Sequence, residues 1–245
     1  MRVGQSNMNY LFYIIFALVP SVIWLLFFLR KDAHPESNRM ILIVFSLGIL
    51  AALPAALVEM GAFQILLDFI KSSILFSILS VFLVVALVEE VFKYLVVKEK
   101  VLSNPEFDEP VDSMLYMIIA ALGFAVTENL LILSPISGPP QFQFFETLTI
   151  SAFRFIGATV LHALCSGTLG YFMALSFLKT KERIKLLVFG FSLVIILHGL
   201  YNFSIMEIEG YLRFLIPVTI LVGLTSFVSL GFKRLKKLAS VCKIK

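Results

Sequence analysis

Apolar runs long enough to cross a hydrocarbon core recur roughly every 30 residues along this chain and leave little of it for anything else. They fall at Asn9–Leu29, Met40–Met60, Ser72–Val97, Ser113–Leu133, Thr147–Leu178, Lys185–Met206 and Tyr211–Phe232. Inside a bilayer no water is present to satisfy a bare peptide group, so a span of this length must be a helix. The composition agrees: 60% of the 245 residues are hydrophobic and only 15% are charged, which excludes an ordinary soluble domain. The expected fold is all-α, a polytopic membrane bundle of about seven helices. Short linkers make it one integral-membrane domain over residues 1–245, with its motif-bearing core at about 86–203.

The net charge of +4 is a topology signal and not a nucleic-acid footprint, because the basic residues are sorted by loop. Arg30, Lys31 and Arg39 lie in the first loop, Lys98 and Lys100 in the third, and Lys179, Lys181 and Arg183 in the fifth. The tail carries Lys233, Arg234, Lys236, Lys237, Lys243 and Lys245, while the even loops are almost bare. The excess of Lys and Arg puts the odd loops and the C-terminus in the cytoplasm and the N-terminus outside, in the plasma membrane of a prokaryote. The first run ends in Arg30-Lys31 and lacks a small-residue cleavage site, so it reads as a retained helix. Cys165 and Cys242 sit too far apart in this topology to pair. The loop Val101–Asp112 is acidic and reads as a solvated connector. Ser134–Glu146, rich in Gly, Pro and Phe, reads as an aromatic belt at the outer interface or a gate.

Four of the spans carry polar residues that a bilayer excludes, at a cost of about 2.5 to 3.5 kcal/mol for a mid-membrane Asp, Lys or Arg. They are Glu89, Glu90 and Lys93; Glu128 and Asn129; His162; and His198 with Asn202. Such a set reads as one shared site rather than four separate exceptions. Helical spacing lets Lys93 bond either glutamate, while the two glutamates point about 100° apart, one to the centre and one to a neighbouring helix. Their position toward the cytoplasmic end of the third span favours water entry from that side. His162 shares a face with Thr159, Ser166 and Gly170, and His198 with Asn202. Arg154 pairs with a carboxylate or snorkels to the surface. Two His and a Glu, here His162, His198 and Glu128, would suit a three-ligand zinc site; a glutamate acting on water unaided is equally compatible. Ser166 or Cys165 beside His162 is geometrically thinkable as a nucleophile, but neither explains the glutamates.

The ordered set E89-E90-x-x-K93, F124-x-x-x-E128-N129, H162 and H198-G-x-Y-N202 resembles the PrsW family of intramembrane proteases, grouped with the CAAX prenyl proteases and bacteriocin-processing proteins. The resemblance implies a membrane protease that cuts membrane-anchored proteins or peptides, such as anti-sigma factors. It further implies Glu89 or Glu90 as general base and His198 with Asn202 as oxyanion donors. The CAAX pattern has His where this chain has Glu128, so the water-orienting histidine falls to His162. The chain has no H-E-x-x-H motif. Two rival readings remain from the residues alone. One is a proton-coupled transporter, which the absence of repeated halves disfavours. The other is a non-catalytic immunity or regulatory protein on the same fold.

Overall fold

The computed structural model describes residues 10–31, 35–133 and 144–239. Seven helical segments are long and apolar enough to cross a membrane, as the sequence predicts. They are α1 (Tyr10–Leu29), α2 (Asn38–Phe69), α3 (Ser73–Lys100), α4 (Pro110–Leu133), the pair α5 (Phe144–Ile156) and α6 (Ala158–Leu178), α7 (Arg183–Glu207) and α8 (Leu212–Ala239). The second helix runs nine residues past the predicted end at Met60, because Gly61–Phe69 is itself a helix-compatible apolar stretch ending at Asp68-Phe69. The fifth span is two helices instead of one. They meet at Gly157, where an added Cβ would collide with the Tyr201 hydroxyl of α7 and the Phe153 carbonyl.

Helix α4 is the axle of the bundle. Its most apolar stretch is 72% buried, against 28% for the sixth and seventh spans. Association within a membrane has little hydrophobic driving force and depends on close packing, which small residues permit. Gly48 of α2 and Gly123 of α4 supply it: a Cβ on either would strike the carbonyl of Ala120 or of Phe45 on the facing helix. Gly170 of α6 likewise lies against the Ser113 carbonyl of α4. The three helices α2, α4 and α6 therefore stand backbone to backbone, and polar groups on them meet across short gaps.

The connector before α4 is solvated at Ser103, Pro105, Glu106 and Asp108, as its acidic sequence suggests, but it is anchored between them. Val101, Phe107 and Asp112 are buried, and Asp112 Oδ2 accepts from the Asp108 and Glu109 amides at 3.1 and 2.8 Å. Tyr116 donates to Glu36 at 2.5 Å, and Ser37, which caps α2, donates to Glu106 at 2.5 Å. These bonds pin the first and third loops together over one end of the bundle. At the other end, Phe144 packs edge-on to Phe12 at 5.9 Å. Residues 134–143, the body of the aromatic connector read as gate or belt, lie outside the described residues, as does Cys242.

Candidate active site

The polar residues of the third, fourth, fifth and sixth spans converge. Immediately before the glutamates, α3 widens into a π-helical stretch, Ser80–Ala86, a feature that recurs at functional sites because it re-aims the following turn. Nothing in the apolar sequence SVFLVVA announces it. Glu89, Glu90 and Lys93 follow on a regular α-helical segment, all buried. Lys93 Nζ is the hub. It lies 3.1 Å from Glu89 Oε2, 2.8 Å from Glu90 Oε1 and 2.7 Å from His162 Nδ1, so its three N–H bonds each have an acceptor. Phe124 closes the remaining side, its ring centroid 4.8 Å from Nζ. The Phe124 and Glu128 spacing on α4 thus places an apolar cap and a carboxylate on one face.

The two adjacent glutamates occupy different environments. Glu90 is fully buried and accepts from Lys93, from Ser166 of α6 at 3.1 Å and from His198 Nδ1 at 3.1 Å. Three donors from three helices hold it. Glu89 Oε2 faces Lys93, His162 Nδ1 at 3.5 Å and His198 Nε2 at 3.8 Å, while among the described residues Oε1 takes no hydrogen bond. The two imidazoles stand edge to face with ring centroids 5.2 Å apart.

Hydrogen bonding assigns the tautomers. His162 Nε2 lies 2.5 Å from Glu128 Oε2 and carries the proton, which leaves the Nδ1 lone pair for Lys93. His198 donates through Nδ1 to Glu90, which leaves the Nε2 lone pair facing Glu89. Glu128 is in turn paired with Arg154 of α5 at 3.0 Å. Arg154 Nε also donates to Asn129 Oδ1 at 2.5 Å, and Asn129 donates to Thr159 at 3.2 Å. Of the two fates that the sequence offers Arg154, pairing is the observed one. The Glu128 side chain is 27% exposed and that of Arg154 16%, whereas Glu89 and Lys93 are 5% and 0%. The Glu128 edge is therefore the most exposed part of the cluster. Lys93 itself is sealed by its partners and Phe124.

Glu59 of α2 escaped the sequence reading. It is half-buried and lies within electrostatic range of Glu89, Glu128 and Lys93. Its signal was present, a carboxylate in the apolar run ALVEMGAF, but it has no partner motif. Asn202 is half-buried one turn beyond His198, and no hydrogen bond among the described residues joins it to the cluster. Cys165 is buried within electrostatic range of Glu90, Lys93 and Glu89, and no hydrogen bond among the described residues joins it to them.

A cation would fit the donors. One oxygen of Glu89 and one nitrogen each of His162 and His198 lie within 4.8 Å of one another. Two imidazoles and a carboxylate are the protein complement of an open catalytic zinc site. The carboxylate in this group is Glu89; Glu128, which the sequence offers as a ligand, lies outward, on the far nitrogen of His162. That is where a carboxylate orients a metal-binding imidazole. The cluster also holds three carboxylates, Glu89, Glu90 and Glu128, against two cations, Lys93 and Arg154. Lys93 already contacts two of the ligand atoms, so an ion would share or displace its bonds.

Comparison with known proteins agrees with this geometry. Residues 36–230 match the model of a family described as PrsW family intramembrane metalloprotease. Among curated proteins, the chain is 29% identical over 205 residues to a protein named Protease PrsW from Oceanobacillus iheyensis, covering 84% of this chain and 88% of that one. It is 30% identical to the protein of the same name from Geobacillus kaustophilus, over 79% of this chain and 80% of the relative. The Bacillus subtilis counterpart is 25% identical over 91% and 94%. No solved structure matches the chain.

Proposed function

Because the chain belongs to the PrsW family of intramembrane metalloproteases, we propose that the Glu89–His162–His198 cluster is its hydrolytic centre, cutting peptide bonds of membrane-anchored substrates. A single-span regulator such as an anti-sigma factor is the substrate class that this reading implies. The observation that carries it is the contrast between Glu90, held by three donors, and Glu89, whose Oε2 faces Lys93 and two imidazoles while its Oε1 takes no hydrogen bond among the described residues.

Glu89 is the general base. Its Oε1 takes a proton from water, and the water oxygen bonds to the scissile carbonyl carbon as the carbonyl π pair moves onto oxygen. Collapse of that intermediate breaks the C–N bond, and the Glu89 proton passes to the departing amine. Asn202, an uncommitted amide beside the site, donates to the oxyanion. His198 was expected to share that role. With its Nδ1 proton on Glu90 it presents a lone pair inward, which favours ligation over donation. Glu90 and Ser166 fix the turn that carries Glu89, and Glu128 with Arg154 fixes His162; these are positioning residues. Glu89, His162 and His198 would hold a zinc ion. Bound there, it would polarise the carbonyl and lower the pKa of water.

The reading takes the chain as one integral-membrane unit, N-terminus outside and C-terminus in the cytoplasm. Water then reaches the cluster from the outer half, past Glu128. A tag after Lys245 digested in inverted vesicles and protected in intact cells supports this orientation; the opposite pattern overturns it. For the chemistry, purified protein in proteoliposomes with single-span substrates should cleave them, and His198→Ala should not. Near-stoichiometric zinc lost together with activity on chelation supports the metal; full activity in metal-free protein assigns the chemistry to Glu89 alone. Undiminished cleavage by His198→Ala overturns the proposed centre.

A further inference from the structure

A second feature lies outside the polar site. Between α1 and α8, with α6 as its floor, runs a cleft of about 290 Å³. Its walls are apolar: Trp24, Val160, Leu164, Val228 and Phe232 among them. At one end its mouth is ringed by Lys31, Lys233 and Lys236. Lys236 donates to the Lys31 carbonyl, which ties the two helices together at that end, and the Lys31 ammonium lies 4.7 Å from the Phe27 ring. Among the described residues, none of these three lysines forms an ion pair with an acid. In the active-site cluster, by contrast, both cations have carboxylate partners.

We propose that this cleft binds an anionic phospholipid, with an acyl chain against the aromatic and aliphatic walls and the phosphate among Lys31, Lys233 and Lys236. Charge complementarity carries the assignment. A soluble anion would use the lysines and leave the apolar walls unexplained; a zwitterionic lipid would fill the walls but bring its own cation beside the phosphate, giving the three lysines no net counter-charge. Basic pockets between membrane helices at the headgroup level are the recurrent site for acidic lipid. The depth is consistent. Trp24 precedes Lys31 by seven residues, about 10 Å along a helix, so a phosphate on the lysines puts the chain past the indole. The Trp24 indole is itself fixed, donating to the Phe155 carbonyl at 2.9 Å.

Trp24 is the chain's only tryptophan, which makes it a built-in reporter. The full chain is reconstituted in phosphatidylcholine vesicles carrying a minor fraction of dibrominated phosphatidylglycerol, or the same fraction of dibrominated phosphatidylcholine, and Trp24 fluorescence is read. Quenching by the brominated phosphatidylglycerol should be several-fold stronger, and Lys233→Gln with Lys236→Gln should reduce it to the phosphatidylcholine level. Lys98→Gln with Lys100→Gln, at the end of α3, should leave the preference unchanged. Equal quenching by the two lipids overturns the proposal. So does an equal loss in the Lys98/Lys100 variant, which would mean general surface attraction. Equal quenching relieved by adding a single-span peptide would also overturn it, in favour of a protein occupant. A thermal melt of each variant, unchanged from the native chain, keeps a loss of quenching from being a loss of fold.

Discussion

The two sides of the polar cluster are built differently. On the Lys93 side every polar group is buried and matched: Lys93 has three acceptors, and Glu90 has three donors from three helices. On the Glu128 side the groups are partly exposed, the Arg154–Glu128 pair leans on an amide and a threonine, and Glu59 adds a further carboxylate. The closed side resembles a structural device, in which removing one partner leaves an uncompensated charge in a dry interior. The more exposed side is where the proposed hydrolysis would draw its water and peptide. Glu89 sits at the boundary, with one oxygen on the closed network and one free. The difference teaches that adjacency in sequence does not mean equivalence in role: Glu89 and Glu90 differ by one helical step and face opposite tasks.

The largest expected effect lies at the boundary. Glu89→Gln preserves shape and removes the base, so cleavage should fall by about 10² to 10⁴ with the fold retained, measured as kcat/KM on a single-span substrate. Next is the closed side. Lys93→Met strips the hub from two carboxylates and should cost about 3 to 5 kcal/mol of stability, read by denaturation in detergent. Native-like stability in that variant would break the division into a structural and a working side. On the open side, Glu128→Gln or Arg154→Gln should lower activity or metal affinity by about 10 to 100-fold, as loss of an imidazole's outer partner does. Their melting points should move less than that of Lys93→Met. The smallest effect on activity belongs to Ser166→Ala, which removes one hydrogen bond to a carboxylate and should cost about 1.5 to 3 kcal/mol of stability alone. Activity per folded molecule should stay near native; an inactive, fully folded Ser166→Ala would instead make the serine a nucleophile.

Much of this was legible in the sequence, for physical reasons. Bilayer thickness fixes span length, so seven spans could be counted. The cost of buried charge flagged Glu89, Glu90, Glu128, His162 and His198 as partners before any contact was known. Helical spacing foretold the Lys93 bridges and the divergence of the two glutamates. What was not legible depended on three-dimensional packing. The π-helical widening at Ser80–Ala86 has no compositional mark, and the break at Gly157 needs Tyr201 from another helix to explain it. Glu59 stood alone in its run, so only proximity reveals it. The acidic connector is solvated at Glu106 and Asp108 as its charges suggest, but the Asp112 and Tyr116 bonds that anchor it have no mark in the sequence.

The most direct test compares Glu89→Gln with Glu90→Gln in the same preparation, measuring cleavage per folded molecule alongside thermal stability. The account predicts a stable, inactive Glu89→Gln and a Glu90→Gln that melts earlier yet still cleaves in its folded fraction. A stable, inactive Glu90→Gln beside a Glu89→Gln that cleaves like the native protein would contradict it.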